Sequence, residues 1–148
     1  MPSSEGALKL RQALMDLWQA PQNLLGLGVG IAKTGKLPTH SMDAEGNREF
    51  RFETEGEDPL AIGSSILAPK DIKPEHLAHE RVHTEQSRRM GPLFMPARIL
   101  GDQMSKLTTG DPYLDHPLED EAYLRTAGRE ELLQRLNMKR PYMAKRGF

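Results

Sequence analysis

His79-Glu80-Arg81-Val82-His83 places two imidazoles four residues apart, with a carboxylate beside the first. On an α-helix, residues i and i+4 stand one above the other, so both rings project from one side and can share a Zn²⁺ ion. Glu80 is rotated from His79 by about 100°. From there its carboxylate reaches a water held by the metal rather than the metal itself. Zinc lowers the pKa of such a water towards ~7, and a glutamate so placed accepts its proton as general base. With five histidines in 148 residues, shuffling makes this pattern in roughly one chain in a hundred, so its spacing carries weight. The chain has no cysteine, which excludes disulfides, thiol catalysis and Cys-based metal sites.

Two imidazoles are an incomplete set, because catalytic zinc takes three protein ligands and keeps one position open. A metzincin arrangement needs glycine three residues and histidine six residues after His83; those positions hold Gln86 and Arg89. Acids recur at Leu118-Glu119-Asp120-Glu121-Ala122-Tyr123. On a helix Glu119 and Glu121 are about 160° apart, so only one of them can face a metal. His116 offers three readings: substitute ligand, transition-state donor or loop histidine. Arg98, Tyr113 and Tyr123 are further candidates for stabilising a tetrahedral intermediate. His76 reads as a solvent-facing first-turn residue and His40 carries no signal. Gln86 lies on the His79/His83 stripe, where packing or support of a ligand is expected rather than ligation.

The two elements together resemble a gluzincin-type zinc metallopeptidase, with H-E-x-x-H on one helix and a glutamate ligand on a later helix within E-x-x-A plus a polar residue. Glu119-Asp120-Glu121-Ala122-Tyr123 matches that second element, and the resemblance implies Glu119 as third ligand beside His79 and His83. The chain also resembles small bacterial H-E-x-x-H-x-x-Q proteins, some of them minimal peptidases and some peptidase-like domains of polymorphic toxins. Gly91-Pro92-Leu93-Phe94 and Pro117-Leu118-Glu119-Asp120-Glu121-Ala122 carry that likeness, over roughly residues 60–130. It implies zinc-dependent hydrolysis of peptide bonds, with Glu80 activating zinc-bound water. The chain departs from the pattern at Tyr123, where many gluzincins have an aspartate that holds an imidazole. A non-enzymatic zinc-binding or peptidase-like interaction module is the alternative.

These groups need elements to position them. Leu8, Leu10, Leu14, Leu17 and Trp18 have helical spacing, so residues 5–19 read as an amphipathic helix that Pro21 stops or kinks. The glycine-rich residues 24–32 read as either a close-packed helix or a turn and strand, too short to span a bilayer. Residues 41–60 carry seven acids against Arg48 and Arg51. Within them Glu49-Phe50-Arg51-Phe52-Glu53 alternates with the period of a half-buried strand. Residues 60–68 read as a second strand, the pair forming a hairpin whose edge can hold an extended substrate. A helix is expected from Pro74 to just before Gly91. Another follows towards Gly110, with Leu93, Phe94, Ala97, Ile99, Leu100, Met104 and Leu107 as its buried side. After a proline-bounded loop, residues 118–136 read as a last helix, and residues 139–148 as a loose basic tail.

The expected fold is therefore α+β: a mainly helical zincin-like domain, residues 1–148, with a small β-hairpin or sheet beside the H-E-x-x-H helix. Twenty Lys plus Arg against 21 Asp plus Glu disfavour a nucleic-acid partner. The expected partner is a protein or peptide substrate in extended conformation, and membrane contact is disfavoured. Without a signal-like start the default expectation is cytoplasmic, with signal-independent export compatible.

Overall fold

A computed structural model describes residues 4–43, 45–126, 134 and 137–138. The chain divides into two compact units, Met1–Pro92 and Leu93–Phe148. The class is α+β, as expected. The first unit holds α1 (Ser4–Thr34), β1 (Thr39–Met42), β2 (Arg48–Thr54), β3 (Leu60–Ile62), β4 (Ser65–Pro69) and α2 (Pro74–Met90). The second holds α3 (Phe94–Thr109) and α4 (Pro117–Thr126). Among the described residues no helix is long and apolar enough to cross a membrane.

The four strands form one mixed sheet in the order β1-β2-β4-β3. The expected hairpin between β2 and residues 60–68 is corrected here. Gly63, at φ +60°, breaks that run into β3 and β4, which pair with each other antiparallel, Ala61 opposite Ile66. Only glycine takes such a backbone cheaply. β2 instead joins β4 in parallel, with Phe50 opposite Ser65 and Phe52 opposite Leu67. β4 is thus an interior strand, buried along Ser65, Ile66, Leu67 and Ala68, and a strand covered on both faces reads as a continuous apolar run. Its two faces have different uses. Ile66 and Ala68 join Ala61 in a small core on which Ile72 and Leu77 pack, setting the sheet beside α2. Ser65 lies against Gly26 of α1.

α1 corrects a second expectation. It runs 31 residues and continues through Pro21, so the proline does not stop it and the glycine-rich segment is helical. The proline forfeits one backbone bond, and its ring faces outward. The later half of the helix is held by other means. Asn23 Oδ1 accepts the Ser64 amide at 2.8 Å, the Ser64 hydroxyl donates to Gln19 Oε1 at 3.0 Å, and Gln22 Nε2 donates to the Ser87 carbonyl at 3.4 Å. The inward face of α1 is polar and glycine-rich: Gln19, Gln22, Gly26 and Gly30 are buried, while Leu8, Leu10, Leu14, Leu17 and Trp18 are exposed.

A Cβ built on Gly26 would lie 2.4 Å from the Ile62 carbonyl oxygen, whereas Gly28 has no heavy atom within 4 Å. Gly26→Ala is expected to lower the melting temperature by several degrees, overpacking of about 1–3 kcal/mol exceeding the ~1 kcal/mol helix gain. Gly28→Ala keeps only that gain and is expected to hold or raise it. Calorimetry on the two variants checks the contrast.

In the second unit α3 turns an unexpected face inward. Phe94, Gly101, Ser105 and Thr109 are buried, whereas Leu93, Ile99, Leu100, Met104 and Leu107 are exposed. The small polar residues bind the loop that follows. Ser105 Oγ donates to the Asp111 carbonyl at 2.6 Å and accepts the Asp115 amide at 2.7 Å. Residues 127–133 and 135–136 of the expected last helix, and the basic tail at 139–148, lie outside the described residues.

Candidate metal centre

α2 carries the motif as expected. Pro74 occupies its first turn, and Gly91, at φ +56°, closes it with an amide donated to the Ser87 carbonyl. A Cβ on Gly91 would enter the Trp18 indole, so only glycine fits at this helix end. Arg81, inside the motif, anchors α2 to the sheet: Nε and Nη2 donate to the two Glu49 carboxylate oxygens at 2.8 and 3.1 Å. This bidentate bond pushes the Arg81 guanidinium above its ordinary pKa. The pair ties α2 to β2 from the solvent side.

His83 is buried and His79 half-buried, and their Nε2 atoms lie 3.2 Å apart. The rings stand edge-on, 83° between planes. Two nitrogens on a tetrahedral zinc, each about 2.0–2.1 Å from the metal, are about 3.3–3.4 Å apart, so the spacing already suits a shared ion. Gln86 Oε1 lies 2.8 Å from His83 Nδ1. An amide oxygen only accepts, so the ring proton sits on Nδ1 and the Nε2 lone pair points to His79. Gln86 is fully buried and supports the ligand rather than joining the cluster.

Glu119 is buried in the first turn of α4. Its placement begins with His116, for which the sequence left a catalytic role open. Leu118 N–H donates to His116 Nδ1 at 3.1 Å, which puts the ring proton on Nε2, donated to the Arg98 carbonyl at 3.1 Å. Both nitrogens are therefore used in setting the start of α4, and the ring is buried. A Cβ on Gly101 would lie 2.5 Å from it. Asp102 Oδ1 also lies 3.3 Å from His116 Nε2, so the ring is engaged at both nitrogens within the second unit. Arg98 is likewise engaged, with Nη2 2.6 Å from Glu119 Oε1 and its guanidinium 5.9 Å from the centre of the Tyr113 ring. No pairing with Arg98 was foreseen, since arginine and glutamate 21 positions apart leave no periodic signal.

His79, His83 and Glu119 each offer one ligand atom, and these atoms all lie within 4.8 Å of one another. Two imidazole nitrogens and a carboxylate oxygen are a donor set suited to Zn²⁺. Glu80, also buried, follows His79 on α2. His76 is exposed, as expected, and His40 on β1 stacks on Phe50 of the neighbouring β2. Glu121 and Tyr123 are half-buried on α4. Because His83 Nε2 is the unprotonated nitrogen, Gln86→Leu is expected to weaken zinc binding about 10–100-fold by freeing the ring and its tautomer. Competition with a chromophoric chelator measures this, and an unchanged affinity would remove Gln86 from the site's support.

No family model, no curated protein and no solved structure matches the chain.

Proposed function

We propose that this chain is a zinc-dependent peptidase in which His79, His83 and Glu119 hold the ion and Glu80 moves the proton. One observation carries the reading: the two imidazoles of the motif and the carboxylate that the E-x-x-A element implies offer ligand atoms within 4.8 Å of one another. Bound Zn²⁺ would supply the positive charge that polarises a carbonyl and acidifies water. Glu80 accepts a proton from the attacking water at its carboxylate as the new C–O bond forms. It returns that proton to the amide nitrogen as the C–N bond breaks, giving an acid and an amine.

The sheet suggests the substrate's form. β3 is an edge strand and α2 packs beside it. A peptide in extended conformation can add to such an edge through its main chain, independent of its side chains. Quenched-fluorescence peptides and unfolded casein test the reading. The zinc-loaded protein is expected to cleave them, to stop on treatment with 1,10-phenanthroline, and to recover when zinc is restored.

A second reading, a zinc clip without turnover, draws on the 2.6 Å bond from Arg98 to Glu119, which gives that carboxylate a structural partner. Failure of the zinc-loaded protein to cleave any unfolded substrate would select it.

A further inference from the structure

α1 is amphipathic in the reverse of the usual sense. At about 100° per residue, Leu10, Leu14, Leu17, Leu24, Leu25 and Ile31 fall within an arc of about 120°. All six are exposed, by 42% to 74%. The buried Gln19, Gln22, Gly26 and Gly30 occupy the opposite arc. An apolar stripe of this extent, turned away from its own sheet, marks an interface.

We propose that the stripe is the contact by which two copies of this chain dimerise, α1 against α1 in antiparallel orientation. Three features point to a second copy. Leu10, Leu14, Leu17, Pro21 and Leu24 follow one another at alternating intervals of four and three, which Ile31 continues one heptad after Leu24. That is the 3.5-residue period of a helix that packs along another helix.

The stripe is also self-complementary. It is centred near Pro21, so a two-fold axis there sets Leu17 opposite the partner's Leu24 and Leu10 opposite the partner's Ile31. The same axis opposes the two helix dipoles favourably.

The borders and length of the stripe fit as well. Ala13 and Ala20 on one side let backbones approach closely, and residues 10–31 extend about 32 Å. A two-helix seam of that length approaches the ~800 Å² per partner of a stable interface. A lipid surface fits less well, because interfacial helices border their apolar face with rows of Lys and Arg. Here Lys9 and Arg11 are the only basic residues on the two borders, both at one end of the stripe, and Lys9 is paired with Glu5 at 2.7 Å.

The proposal stands apart from the metal centre, which uses none of these residues. Sedimentation velocity on the full chain tests it. The wild type is expected at twice the 16.6 kDa chain mass. Leu17→Glu combined with Leu24→Glu is expected at the single mass, with the helical circular dichroism unchanged. A wild type that stays monomeric at its highest soluble concentration overturns the proposal. So does a double variant that still dimerises, or a monomer that floats with phosphatidylcholine–phosphatidylserine vesicles.

The absence of cysteine provides a second measurement should the double variant fail to fold. Pro21→Cys, at the axis, is expected to give a disulfide-linked dimer under mild oxidation, whereas Leu10→Cys is expected to give none. Equal cross-linking of the two overturns the antiparallel pairing.

Discussion

Glu80→Gln is expected to keep its zinc and its melting temperature while losing peptide hydrolysis by about 10²–10⁴-fold, the usual contribution of a positioned general base. The substitution preserves shape and hydrogen-bonding reach but removes the basic oxygen. Glu80 follows His79 by one residue and is buried, so the change tests proton transfer apart from ligation. Because the carboxylate acts as a bond is made and broken, kcat should fall together with kcat/KM. The measurement is a steady-state assay on zinc-loaded protein, with metal content determined on the same preparation. Equal turnover by the variant would remove Glu80 from the mechanism. Loss of zinc together with activity would make it a structural partner of the ligands instead.

The second large effect is on the ion itself. His83→Ala is expected to weaken zinc binding by well over the ~10–100-fold that loss of a supporting residue costs. His83 is buried, its Nδ1 is satisfied by Gln86, and its Nε2 faces His79 at 3.2 Å. Removing it leaves His79 without its closest potential co-ligand and takes away the Nδ1 partner of Gln86 Oε1. His76→Ala, on an exposed first-turn residue of the same helix, is expected to bind zinc like the wild type. Isothermal titration of the two variants separates a ligand from a bystander histidine, and equal affinity in both would place the ion elsewhere.

The motif helix was legible because its signals are local. Pro74 opens it, Gly91 closes it, and four-residue spacing sets His79 beside His83. β2 was legible through the alternation of residues 49–53, and the apolar run at 60–68 read as one strand where there are two, while β1 at Thr39–Met42 was missed. The pairing of the strands was not legible. Parallel joining of β2 to β4 is a long-range choice that leaves no mark in either segment, and the turn at Gly63 was hidden within an apolar run. The helix faces misled for a different reason. Expectation sends leucine inward, yet α1 spends its inner face on the hydrogen bonds of Gln19, Gln22 and Asn23 and on close approach at Gly26. α3 likewise gives its inner face to the loop bound by Ser105 and to the His116 ring against Gly101. The role of His116 could not be read from a loop histidine before proline, since it depends on a carbonyl 18 residues away. Glu119 was reached through the E-x-x-A resemblance, because helical geometry alone left Glu121 equally open.

The central claim is that two imidazoles and one distant carboxylate share a divalent ion, and elemental analysis of protein purified without an affinity-metal step tests it most directly. Near one zinc per chain is expected in the wild type, with most of it lost in Glu119→Ala although that change leaves both histidines in place. Wild-type protein without stoichiometric metal, or Glu119→Ala with its zinc intact, would contradict the assignment.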